Sequence, residues 1–99
     1  MLRKEYEGLR LDVIAEVKRA FVALQGAQAR QELTQEGYRI VSELAASVAE
    51  RVKAGAVSPI EETRAEVARS LAAADVERTA SELAEARQEL AKAMGIATP

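Results

Sequence analysis

The sequence predicts an all-α protein, a long antiparallel helical hairpin of coiled-coil character. Three observations carry that reading. Apolar residues along the first half recur at alternating spacings of four and three, the heptad signature of helices that pack along a seam. Aromatic residues make up only 3% of the 99-residue chain while Ala is abundant, a bias expected of long packed helices. A helix-stop signal at Gly55 stands three residues before a helix-start signal at Ser58, which demands a sharp reversal. A chain of this length is a single unit, and residues 1–99 are read as one helical hairpin.

The first helix is expected over about residues 10–54. Its seam runs through Val13, Val17, Ala20, Leu24, Ala27, Gln31, Thr34, Tyr38, Val41, Ala45, Val48 and Val52. Gln31 and Thr34 interrupt it with polar groups, so the seam is weaker there. A second stripe lies beside it: Ile14 and Phe21, then Leu33, Gly37, Ile40 and Leu44. Two adjacent stripes give a face wider than one partner helix covers. Gly26 and Gly37 fall inside the helix, at about 1 kcal/mol each relative to Ala. They read either as tolerated helix glycines or as points of close helix approach or a local bend.

The turn is expected at 55–58. Gly55 follows the last periodic apolar residue and suits the left-handed conformation that ends a helix, with Arg51 and Lys53 near the negative end of the dipole. Ser58 is placed as N-cap, Pro59 takes the first helical position, and Glu61 completes a capping box.

The second helix is expected over about 59–94. Ile60, Val67, Leu71, Val76, Leu83, Leu90 and Met94 are its larger apolar residues, with many alanines between them. Gly95 is expected to end it and Pro99 to prevent its resumption. Acid-before-base pairs three residues apart recur in both helices: Glu16–Arg19, Glu36–Arg39, Glu66–Arg69, Asp75–Arg78 and Glu89–Lys92. They mark solvated flanks.

Composition narrows the function. The chain has no Cys, His or Trp, which removes thiolate metal sites, Cys nucleophiles and the commonest general base. Fourteen basic against sixteen acidic residues give a formal charge of −2, against the strongly basic balance of a nucleic-acid binder. No stretch approaches the roughly 18 apolar residues of a membrane helix. Glu61, Glu62 and Glu66 form the one dense carboxylate group, and they read as residues that complement the helix dipole. No catalytic, cofactor or metal-binding residue is assigned, and an enzyme is not expected.

The turn region also carries a resemblance. Arg51-x-x-x-Gly55-x-x-Ser58-Pro59-Ile60-Glu61-x-x-Arg64-Ala65-Glu66 resembles the periplasmic-tip motif of TolC-type outer-membrane efflux proteins. Phe21-x-x-Leu24-x-x-Ala27-Gln28 upstream, and Leu83, Ala86, Leu90 and Met94-Gly95 downstream, are similar to the family's flanking segments. Ile60 stands in place of the usual Leu. Glu62 and Thr63 depart from the apolar pair of many members, and the run from Ser58 to Glu66 is closer to the CzcC-like heavy-metal cation branch.

The resemblance implies one periplasmic hairpin of a trimeric α-barrel duct in the outer membrane, hence a piece of a longer protein. It further implies a passive conduit that works with a periplasmic adaptor and an inner-membrane pump, and no cofactor. Carried over by position, the adaptor-docking tip is Gly55, Ala56, Val57, Ser58, Ile60 and Glu61. Two other readings remain: the hairpin of a periplasmic adaptor, whose tip pattern is not found at this turn, and a free-standing coiled-coil module for oligomerisation. The wide apolar face leads to the further expectation that the chain alone self-associates, as a dimer forming a four-helix bundle.

Overall fold

The computed structural model describes residues 2–97. Two helices account for nearly all of them: α1, Leu2–Lys53, and α2, Pro59–Ala97. Among the described residues there is no strand. The predicted all-α hairpin is what forms, with two differences at the ends. Helix α1 begins at Leu2, some eight residues earlier than the periodicity suggested. The alternating spacing stops at Val13, where the next position back is Arg10, and Tyr6 and Leu9 are exposed; an Arg3–Glu7 pair at 3.7 Å supports that first stretch. Helix α2 runs through Gly95 to Ala97. Among the described residues only Gly55 has a positive φ, so Gly95 stays helical at a modest propensity cost and does not cap. Pro99 lies outside the described residues.

The hairpin divides into two units, each combining a stretch of α1 with a stretch of α2. One comprises Met1–Ala29 and Ser81–Pro99, the other Arg30–Ala80. In the first, Ala27, Leu83 and Ala93 are buried, and Val13, Val17, Ala20, Leu24, Ala86 and Leu90 are half-buried around them. In the second, Ala45 and Thr79 are buried, flanked by half-buried Thr34, Tyr38, Val41, Val48, Val52, Ala65, Ala72 and Val76. Every seam position expected on α1 is at least half-buried. The matching seam of α2 is Ala65, Arg69, Ala72, Val76, Thr79, Leu83, Ala86, Leu90 and Ala93, again in 4-3 spacing.

Most of this core is small. Among the described residues Leu83 is the one large buried apolar side chain, the others being Ala27, Ala45 and Ala93. A fully buried Leu contributes roughly 1.5–3 kcal/mol, and a methyl group well under half of that. Small seam residues let helix backbones approach closely, but they bury little area. The second stripe, in contrast, is open: Ile14, Phe21, Leu33, Ile40 and Leu44 are exposed. A Cβ built on Gly37 would meet nothing within 4 Å. Within the chain, Gly37 is therefore a tolerated helix glycine and not a point of close approach.

The expected flanking ion pairs are present at Glu66–Arg69 (2.8 Å), at Asp75–Arg78 (3.6 Å) and at Glu36–Arg39. Arg39 also reaches Glu43 at 2.8 Å. All these side chains are solvent-exposed, so each pair adds little to stability.

Candidate functional site

The chain reverses through a backbone-defined turn. The N–H of Ala56 donates to the carbonyl of Arg51 at 2.9 Å, and the N–H of Gly55 donates to Val52 at 3.0 Å. These are the 6→1 and 5→2 bonds of a Schellman motif, which satisfy carbonyls left over at the helix end. The motif requires a left-handed residue at Gly55, whose φ is 75°. Three residues later α2 starts: the carbonyl of Ser58 accepts from Glu61 N–H at 3.0 Å, and Pro59 fills the first helical position.

The six expected tip residues are thereby brought together at one end of the Arg30–Ala80 unit. Gly55, Ala56, Ser58 and Ile60 are exposed, while Val57 and Glu61 are half-buried. Ile60 stands 53% open to solvent on the first turn of α2. Glu61 accepts from Arg64 at 3.2 Å and Glu66 from Arg69 at 2.8 Å, so two members of the acidic group have arginine partners. No cluster of three metal-ligating side chains occurs among the described residues.

A second constellation was not anticipated. Thr79 is 1% exposed, and its hydroxyl lies 2.8 Å from that of Thr34 across the helices. Each hydroxyl also has an intrahelical acceptor: the Gln31 carbonyl at 3.0 Å for Thr34, and the Asp75 and Val76 carbonyls at 3.1 Å for Thr79. One Thr donates to the other and the second donates back to its own helix, so a polar layer sits in the seam without an orphaned proton. Thr34 was legible as a polar interruption. Thr79 was not, because the α2 seam is masked by its surplus of alanines; the 4-3 spacing from Ala72 to Ala93 was the available signal.

Next to this layer, Tyr38, Arg69, Ser70 and Ala73 line a shallow depression. The Glu66 carboxylate beside Arg69, with a further contribution from Tyr38, raises the guanidinium pKa above its ordinary value. Arg39 is raised in the same sense by Glu36 and Glu43, and its hydrogen bond holds the Glu36 carboxyl below the usual range. These are exposed helix-surface pairs with no substrate-sized enclosure around them.

The site is an exposed glycine turn that joins two long helices. The chain belongs to the outer membrane efflux protein family, which it matches over residues 1–96. Among curated relatives it is 34% identical over 92 residues to the cobalt-zinc-cadmium resistance protein CzcC of Cupriavidus metallidurans. That alignment covers 93% of this chain and 22% of the relative, so the chain spans about a fifth of that protein's length. No solved structure matches. The likeness to CzcC agrees with the cation-branch character of the Ser58–Glu66 run.

Proposed function

We propose that this chain forms a periplasmic hairpin of an outer-membrane efflux duct, a passive and non-enzymatic conduit for divalent heavy-metal cations. In this reading the parent protein is a homotrimer whose hairpins line an α-barrel. The tip formed by Gly55, Ala56, Val57, Ser58, Ile60 and Glu61 docks on a periplasmic adaptor, and an inner-membrane pump supplies the energy. The observation that carries the reading is the Schellman turn at Gly55, exposed at the hairpin's end in a chain of the efflux family. The relative's role in cobalt, zinc and cadmium resistance supports the cation class. The family match speaks for the duct over the adaptor hairpin or a free-standing coiled coil.

The test is metal export by the parent protein carrying tip substitutions. Gly55→Val is expected to abolish export while trimers still insert in the outer membrane. Ile60→Asp separates docking from folding, because Ile60 is exposed and the turn's backbone bonds do not involve it. Full export by both variants would overturn the proposal.

A further inference from the structure

Every seventh residue along the α2 seam is alanine but one: Ala65, Ala72, Thr79, Ala86 and Ala93. Beyond Arg69, the alternate seam positions Val76, Leu83 and Leu90 differ by no more than a single methylene. Sliding the helices by seven residues, about 10.5 Å, therefore sets alanine where alanine stood and nearly conserves apolar volume. Packed cores tolerate exchanges of that kind. Thr79 breaks the repeat. The corresponding series of α1 is Val13, Ala20, Ala27, Thr34, Val41 and Val48, and Thr34 is the single threonine of that helix. The two exceptions face each other, hydroxyl to hydroxyl at 2.8 Å, with Thr79 buried.

We propose that the Thr34–Thr79 pair fixes the register of the two helices, and so decides which residues stand at the turn. The contact makes Val41 level with Ala72 and Val48 level with Ala65; each of these pairs shares the lining of one groove. In a register slid by seven, Thr34 faces Ala72 or Ala86, and Thr79 faces Ala27 or Val41. Each hydroxyl still donates to its own helix, at the Gln31 carbonyl or at those of Asp75 and Val76. The oxygen that accepted from the other Thr has lost its donor and lies against apolar side chains, which penalises the slid register with an unpaired buried acceptor. A polar group at one seam position is a general means of selecting register in packed helices.

The turn shares this task. A slide that unwinds the end of α1 into a longer loop forfeits the backbone bonds from Ala56 and Gly55 and the seam contacts of Val48 and Val52. Closure entropy adds little, because it grows slowly with loop length. The hairpin thus has two register devices, the turn and the threonine pair, about 30 Å apart at 1.5 Å per residue. Weakening the turn isolates the contribution of the pair.

This register lock does not depend on the export reading. The sequence has no Cys, so engineered pairs report register without background. Val48→Cys with Ala65→Cys are level in the observed register, and Val41→Cys with Ala65→Cys in a slid one. A disulfide closes only where Cα atoms come within about 7 Å. The readout is R, the intramolecular yield of the second pair over that of the first, in the 99-residue chain equilibrated in glutathione buffer, with Gly55→Val weakening the turn. With both threonines present R is expected below about 0.1; Thr79→Val should raise it at least ~5-fold and Thr79→Ser should restore it, since only the hydroxyl is at issue. Moving the hydroxyl by one heptad, with Thr79→Ala and Ala72→Thr together, should raise R at least ~5-fold above Thr79→Ala alone, because Thr34 then meets its partner in the slid register. A smaller rise on either change, or a second pair that closes better than the first while both threonines are in place, would overturn the proposal. Should Gly55→Val lose helicity, the comparisons are made with Gly55 retained, and moving the hydroxyl must still raise R at least ~5-fold.

Discussion

Gly55 offers the sharpest test of the physical reading. Its φ of 75° lies where side chains are disfavoured, yet a Cβ added there would meet nothing within 4 Å. The cost of substitution is therefore conformational and not steric. An L-residue in the left-handed region costs roughly 1–2 kcal/mol, and Asn pays less than most because its short polar side chain bonds locally. The expected order of stability is Gly > Asn > Ala > Val, with Ala about 1–2 kcal/mol below Gly and Val lower still through its branched Cβ. If the turn rebuilds to escape the strain, it forfeits the bonds from Ala56 to Arg51 and from Gly55 to Val52, each worth about 1 kcal/mol. The loss for Val should therefore not exceed about 2 kcal/mol, the sum of those two bonds. Urea denaturation followed by helical circular dichroism, at one fixed chain concentration, gives these differences. A Val variant within about 0.3 kcal/mol of the parent, or Asn worse than Ala, would refute the reasoning, since surface changes alone stay within about 0.5 kcal/mol.

Three further outcomes follow from the same structure. Gly37→Ala should raise stability by about 0.5–1 kcal/mol in the same assay, because the position is helical with open space for a methyl group. Thr34→Val and Thr79→Val should each cost about 0.5–1.5 kcal/mol but the pair less than their sum, because the hydroxyl contact between them is lost only once; a double-mutant cycle with additive effects contradicts a shared bond. Thermal melts should be flat between about pH 6 and 8, since the chain has no His or Cys. Glu36 is held below its ordinary pKa by Arg39, so its small contribution is present above the unfolded carboxyl value and fades as pH falls through the lower folded one. Glu36→Gln should remove only that acid-side slope below about pH 4.3.

The fold was legible because its signals are local and redundant. The α1 seam needed only the 4-3 spacing from Val13 to Val52, and the reversal needed only Gly55 and Ser58 at their separation. The start of α1 was missed because the apolar 4-3 spacing stops at Val13: the next position back is Arg10, and the helix before it is exposed, Tyr6 and Leu9 included. The end of α2 was missed because a glycine caps only where the backbone turns left-handed, and Gly95 does not. The tip residues were legible as a group, but their unequal exposure was not: that Val57 is half-buried while Ile60 is exposed depends on how the turn folds over the helix ends. Thr79 escaped notice for a related reason. A buried hydroxyl looks like a surface residue until the helix opposite supplies Thr34.

The turn has a consequence for how such a chain can change over time. Its hydrogen bonds run from main chain to main chain, and one glycine supplies the conformation they require. The exposed positions around it, Ala56, Ser58 and Ile60, are thus uncoupled from the reversal itself. Their chemistry can drift while the hairpin keeps its geometry. If the tip docks as proposed, shape and specificity are written in separate residues, and a new pairing can be acquired by point substitution without passing through an unfolded intermediate sequence.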